Sequence, residues 1–408
     1  MKQLSVLLAG IFALMCYTGL SQTLPPGFTT STIGTGWNLP MGTAFTQDGQ
    51  KLFVWEKDGR VYVCNRNTSG TYVKQTTPVL DISDEVGNWG DYGLLGFAID
   101  PNFNNNGLIY LLYAVDRHHL FYYGTPSYNP ATTVEGATIG RVTRYKTVTS
   151  GINLVTDLSS RYVLFGESKS TGFPLLHDSH GIGTLAFAAD GTLLVTCGDG
   201  ASYYLVDKGS DTDTDFQQAL DDGIIRPAEN VGAFRAQMIT SFSGKLLRLD
   251  PVTGDGVSSN PYYSTAQPRS PRSRIWALGL RNPYRFSIKP GTGSANPAAG
   301  DIGEIYVGDV GWQTYEEVNV INAPGVNCGW PLFEGLTPQP GYTAAITANL
   351  DEPNPLFGTG GCTKQYFNFQ DLIRQTTADN NKTIYNPCSP STPIGTGNRF
   401  VHYRPIIE

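Results

Sequence analysis

Charge is what this chain has least of. Only 15% of its 408 residues are Asp, Glu, Lys or Arg, against about 25% in an average soluble domain. The net charge is −7 and no basic tract occurs, which argues against nucleic acid or an anionic membrane surface as a partner. Long apolar runs are equally scarce. The one from Leu4 to Met15 is too short to span a bilayer as a helix. It follows Lys2 and precedes the small residues Gly19 and Ser21, the pattern of a secretory leader cut after Ser21. Residues 1–21 are therefore expected to be a signal peptide, and residues 22–408 a secreted or periplasmic domain with no membrane span. The cysteines form no Cys-x-x-Cys pair, which argues against a thiolate zinc site. Cys16 goes with the leader. Among the rest, Cys362 and Cys388 share one Gly/Pro-rich region and are the expected disulfide, and the odd number leaves at least one free thiol. Helical periodicity is nearly absent; only 213–221 reads as a short turn of helix.

What the chain does have is glycine, proline and aromatic residues: 47 Gly, 26 Pro and 12% Phe, Trp and Tyr. Such a composition fits many short strands joined by tight turns. One unit recurs. Ala44-Phe45 leads through Asp48-Gly49 into Leu52-Phe53-Val54-Trp55, and Asp58-Gly59 turns into Val61-Tyr62-Val63. The unit returns around Asn106-Gly107, around Asp190-Gly191, and from Tyr284 to Val307. Asp-Gly and Asn-Gly accept the positive φ that tight hairpins demand. Repeated strand–turn–strand units at irregular spacing predict an all-β fold, a β-propeller with insertions at 116–138, 203–240 and 335–397. A pair of β-sandwiches is the alternative, and the recurring unit weighs against it.

Three groups of residues carry chemistry. His180 stands in a Gly-rich stretch just before a strand, where a loop side chain can face a channel, and imidazole suits proton abstraction near neutral pH. The bland reading is a loop histidine bonded to its own backbone; His177 is the rival base. Arg281 and Asn282 precede Pro283, so Asn282 is biased to extended backbone. A guanidinium there can stabilise growing negative charge, or can simply pair with a loop carboxylate. Asp309, Glu316 and Glu317 lie beside Gly308 and Gly311, and such an oxygen-rich, turning backbone is what calcium requires, although Glu316 or Glu317 fits solvent-facing charge equally well. The acidic run Asp207, Asp211, Asp213 and Asp215 lacks the Gly and terminal Glu of an EF-hand and reads as solvated charge.

Four motifs stand in a fixed order over residues 28–335. They are Gly93-Leu94-Leu95-Gly96-Phe97-Ala98 with Asp100-Pro101-Asn102-Phe103, then His180-Gly181-Ile182-Gly183 running to Gly198-Asp199-Gly200, then Gly279-Leu280-Arg281-Asn282-Pro283, and last the stretch from Gly308-Asp309-Val310-Gly311-Trp312 to Asn327-Cys328-Gly329-Trp330-Pro331. In this order they resemble the glucose/sorbosone dehydrogenase family of soluble quinoproteins. The resemblance implies a six-bladed propeller in the full-length fold, incomplete here, with the last blade or blades missing after 401–408. It implies pyrroloquinoline quinone and calcium as cofactors, a sugar substrate and an external electron acceptor. His180 would be the base, and Arg281 and Asn282 would contact the quinone. Calcium would be held near Gly308, Asp309, Glu316 and Glu317. Asp91 falls where some members place a substrate-facing Gln. Ser179, Ile182 and Thr184 depart from the glucose-oxidising pattern and fit a sorbosone-type branch better. The same fold also resembles hedgehog-interacting propellers, which bind protein without redox chemistry, and metal-dependent lactonase propellers.

Overall fold

In the computed structural model of the chain, residues 24–375, 383–394 and 400–407 are described. The expected leader at 1–21 lies outside them. The chain divides after Thr35 into two units. Described residues 24–35 hold no strand or helix, only a turn closed by the Phe28 N–H on the Pro25 carbonyl at 3.1 Å. The unit from Gly36 onward is all-β with a few short helices, arranged as a propeller of which the described residues form four blades.

The first blade is β1 (Pro40–Phe45), β2 (Lys51–Glu56), β3 (Arg60–Arg66) and β4 (Tyr72–Lys74), with β5 (Leu80–Asp81) also on β3. The second is β6 (Leu94–Ile99), β7 (Leu108–Ala114) and β8 (Thr138–Ser150), with both β9 (Asn153–Phe165) and β10 (Phe173–Leu175) against β8. The third is β11 (Ile182–Phe187), β12 (Leu193–Cys197), β13 (Lys245–Leu249) and β14 (Ile275–Leu278), in order. The fourth is β15 (Arg285–Ile288), β16 (Ile305–Asp309) and β17 (Glu317–Ile321), and Val318 of β17 also pairs antiparallel with Ile407. β1, β6, β11 and β15 pack on one another in that order, as inner strands do around a propeller axis. The Gly49, Gly59, Gly107 and Gly191 turns all close hairpins, with φ of 65°, 97°, 67° and 77°.

The core lies in the seams between blades, and strand alternation assigns each side chain to a seam. On β7, Tyr110, Leu112 and Ala114 face the third blade, whereas Ile109, Leu111 and Tyr113 face the first. On β12, Leu193 and Val195 join the seam with the second blade, and Leu194 the seam with the fourth. Both faces of the middle strands are buried, so Leu108–Ala114 and Leu193–Cys197 read as nearly unbroken apolar runs. Each such side chain contributes about 1.5–3 kcal/mol through its removal from water.

Two expected insertions fall between second and third strands, one between β7 and β8 and one between β12 and β13. In strands that alternate in direction, these links lie at the end where first strands begin. The second insertion carries the short helix Phe216–Asp221 and buries Phe234, Ala236 and Met238 in the core. The third insertion, where described, folds into short strand pairs such as Tyr385–Asn386 with Ser389–Pro393. It carries the Cys362–Cys388 disulfide, with Cα atoms 5.5 Å apart. Cys64, Cys197 and Cys328 are buried free thiols. Among the described residues no helix is long and apolar enough to cross a membrane.

Candidate active site

The register of the blades decides which loops meet. Pro40 at the start of β1 pairs with Glu56 at the end of β2, and Arg285 at the start of β15 pairs with Gly308 near the end of β16. Segments before first strands and just after second strands therefore share one end of the propeller. There they enclose a cavity of about 590 Å³. Asp91, His180 and Asn282, from the approaches to three different blades, line it together with Lys57, Tyr284 and Val310.

His180 is held by one ring nitrogen and open at the other. It is 5% exposed and adopts φ of 53°, a left-handed conformation that costs free energy in a non-glycine residue. Its Nδ1 lies 3.0 Å from Oδ1 of Asp199. A carboxylate only accepts hydrogen bonds, so neutral His180 carries its proton on Nδ1 and presents a lone pair at Nε2. No described residue bonds Nε2, and the side chain faces the cavity. Asp199 is itself held: Oδ2 accepts from the Trp330 indole at 2.7 Å and Oδ1 from the Ala201 amide at 3.0 Å. Burial works to raise its carboxyl pKa, but His180, by charge and hydrogen bond, and the Arg281 charge bring it below the ordinary value. His177 differs. Its two ring nitrogens face Asp178 and Asp213 at 3.1 and 3.2 Å, and it lines a separate cavity of about 260 Å³.

Arg281 and Asn282 are fixed through their backbone. Asp309 accepts the Arg281 amide at 3.0 Å and the Asn282 amide at 2.7 Å. The Arg281 carbonyl receives the Asp199 amide at 2.8 Å. A Cβ on Gly198 would lie 2.4 Å from the His180 carbonyl oxygen and 2.9 Å from that of Arg281, so glycine is what allows these two loops to close on β12. Asn282 lines the cavity. The Arg281 guanidinium instead donates to the carbonyls of Val310 at 3.0 Å and Gly311 at 2.7 Å, and packs over Trp330.

The expected calcium ligands are arranged differently from a metal site. Asp309 is spent on the two amides, Glu316 accepts from Gly311 N–H at 3.0 Å, and Glu317 accepts from the Gly335 amide and the Asn319 side chain. Gly308 sits in β16 between paired strands. Burial and the facing Glu317 carboxylate push the Asp309 carboxyl well above its usual range. The inward carbonyls anticipated at this glycine-rich turn do exist, at Val310 and Gly311, but a guanidinium holds them. Among the described residues no group of three or more His, Cys, Asp or Glu could hold a metal. That includes the acidic run, where Asp207 accepts from the Gly209 amide and Asp213 meets His177 and Ser202. Sequence reasoning missed Asp199, Trp330 and Lys57. The signal for Asp199 was there: a lone carboxylate between two glycines at a strand end.

The sequence model described as Glucose / Sorbosone dehydrogenase matches residues 37–354. The chain belongs to the glucose/sorbosone dehydrogenase family. HIPL2 protein of Arabidopsis thaliana is 27% identical over 369 residues, 82% of this chain and 47% of that protein. Quinoprotein glucose dehydrogenase B of Acinetobacter calcoaceticus is 26% identical over 309 residues, 72% and 52% of the two chains. Hedgehog-interacting protein of Homo sapiens is 26% identical over 265 residues, 62% and 30%. This glucose/sorbosone dehydrogenase family chain thus spans about half the length of the first curated relatives it matches. A solved glucose dehydrogenase structure is alike in fold, with a TM-score of 0.50 at 22% identity over 74% of this chain and 66% of that one.

The cavity suits a planar quinone in several respects. Its volume lies in the range of about 300–1,000 Å³ common to small-molecule sites. Met41, Leu95, Ile182 and Val310 give apolar walls, Tyr284 an aromatic one, and Lys57 the one cation on the described lining. The Arg281 guanidinium is not on this lining: it is buried against the Val310 and Gly311 carbonyls and the Trp330 ring.

Proposed function

We propose that this chain is the sugar-oxidising part of a quinone-dependent dehydrogenase acting on an aldose or sorbosone-like sugar. The observation that carries the reading is the Asp199-anchored His180, whose free Nε2 opens on the cavity where blades converge. Oxidation of a cyclic sugar at C1 removes the hydroxyl proton and the C1 hydride, two electrons in all, and leaves a lactone. His180 Nε2 takes the proton, and Asp199 stabilises the resulting imidazolium. A bound pyrroloquinoline quinone supplies the acceptor for the hydride. Lys57 is the cation on the lining available to its carboxylates, and Asn282 a polar contact, with Arg281 behind them. Asp91 is placed to accept from sugar hydroxyls. Calcium, which the resemblance implies, has no free ligand set among the described residues of the glycine-rich turn, where Arg281 holds the Val310 and Gly311 carbonyls. The leader-like residues 1–21 and the disulfide support export.

The family name and the quinoprotein relative favour oxidation; the Hedgehog-interacting relative favours a binding propeller. The test is reconstitution of the natural full-length protein with pyrroloquinoline quinone, with and without calcium, followed by dye reduction across an aldose panel. The expected result is stoichiometric quinone binding and saturable dye reduction with at least one aldose. If no quinone binds at about 100 μM, four orders weaker than a 10 nM site, the binding-propeller reading replaces this one.

A further inference from the structure

The opposite end of the propeller holds a second concavity. First strands that begin at the His180 cavity finish there, and the exits of β1 and β6 enclose a space of about 370 Å³. Phe45, the last residue of β1, is 56% exposed at its edge. Its ring is braced by Tyr72 in an edge-on contact at 5.4 Å, and the Tyr72 hydroxyl is tied to the Gly49 carbonyl at 2.7 Å. Around it stand the amides of Gln47, Asn102, Asn104 and Asn105.

The chemistry of this lining narrows what could bind. No lysine, arginine or histidine lines it, so a phosphate or carboxylate ligand would find no counter-charge. The carboxylates nearby are already used. Asp100 accepts from the Asn102 amide, the Asn106 side chain and the Tyr110 hydroxyl. Asp48 accepts from Thr46, the Gln50 amide and the Asn104 side chain. A metal ion is therefore poorly served. What remains free is neutral: the whole Gln47 amide, the Asn102 nitrogen, and the Asn104 and Asn105 oxygens make no hydrogen bond to another described residue, while the Asn105 nitrogen is spent on Asn102. The Asn104–Asp48 link at 3.2 Å ties the turn after β1 to the turn after β6. An exposed aromatic face beside paired donors and acceptors, with the one lining carboxylate, Asp100, already accepting from three donors, matches one ligand chemistry. A pyranose offers a patch of C–H groups to the ring and vicinal hydroxyls to the amides.

We propose that Phe45, Gln47, Asn102, Asn104 and Asn105 form a non-catalytic binding site for a neutral sugar ring, independent of the His180 cavity. The site would hold the protein on glycans or other neutral polysaccharide, whichever function the opposite end performs.

The test uses methyl glycosides of glucose, galactose and mannose, whose blocked C1 cannot be oxidised. Binding to the full-length protein is followed by saturation-transfer NMR and by calorimetry. At least one glycoside should bind saturably with Kd on the order of 1–10 mM, the range for a small ligand with one stacking contact. Phe45→Ala should weaken it by about tenfold, and Asn105→Ala should weaken it too, with the thermal midpoint of each variant close to wild type. His180→Ala should leave binding unchanged. Absence of saturable binding by all three glycosides up to about 100 mM overturns the proposal. So does binding that survives both Phe45→Ala and Asn105→Ala, or binding that His180→Ala abolishes, which would place the sugar in the other cavity.

Discussion

His177 and His180 are three positions apart in one loop, yet their surroundings give them opposite chemistry. His177 has a carboxylate within 3.2 Å of each ring nitrogen, so whatever proton it holds stays in a closed set of partners. His180 has one anchored nitrogen and one open to a cavity. Histidine content and loop position do not distinguish them. What does is how many ring nitrogens the fold has already used, and that is set by Asp199 at the end of β12 and by Asp213 in the second insertion.

The sharpest way to break this comparison is to remove each ring in turn. In the reconstituted enzyme, His180→Ala should lower turnover by about 10²–10⁴-fold with quinone binding largely intact. His177→Ala should change turnover by less than about threefold, since that ring reaches no reacting atom. Equal losses in steady-state kinetics would erase the distinction drawn here.

Asp199→Asn tests the anchor. An amide can offer its NH₂ to His180, which would move the imidazole proton to Nε2 and close the lone pair. Turnover should fall on the order of 100-fold, with KM for the sugar nearly unchanged. Loss confined to KM would mean that Asp199 shapes the cavity instead of the tautomer.

A smaller effect is expected from Gly198→Ala, which touches the His180 loop and leaves His177 alone. Its Cβ would meet the His180 and Arg281 carbonyls, and the displacement should cost about 1–3 kcal/mol of stability, read from the denaturant midpoint at constant slope. The smallest effect concerns acid. The Asp199 pKa lies below its ordinary 3.8 in the folded protein. Its stabilising contribution is therefore complete above pH 3.8 and is lost as pH falls through the lower folded value. His180→Ala, by removing its histidine partner, should flatten that acid limb of the stability curve, and His177→Ala should not.

Much of the fold was legible because it rests on local chemistry. The four Asp-Gly and Asn-Gly turns need positive φ, and all four became hairpin turns. The middle strands also betray burial on both faces, since Leu193 and Leu194 must satisfy different seams. Cys362 and Cys388 could be paired from their shared loop region. The site was legible in part. Asp91, His180 and Asn282 meet on one cavity although 89 and 102 positions separate the neighbouring pairs. Asp199 and Trp330 were not singled out, because their importance comes from a contact between residues 131 positions apart. The carboxylates expected around calcium were misread for a related reason. A sequence shows that Asp309 and Glu316 are near glycines; it does not show that main-chain amides have already claimed them.

Gly198 has a further consequence, for how such a site can change over generations. Any side chain there strikes two carbonyls at once, one from the loop of the base and one from the loop of the guanidinium. Relieving one clash leaves the other, so no single further substitution opens a path to a larger residue. The spacing of the two loops is thereby tied to this one position. Asp91 and Asn282 also border the cavity, and no clash of this kind is recorded at either. One methylene's worth of missing volume thus divides the site into a part that inheritance must copy unchanged and a part it is free to explore.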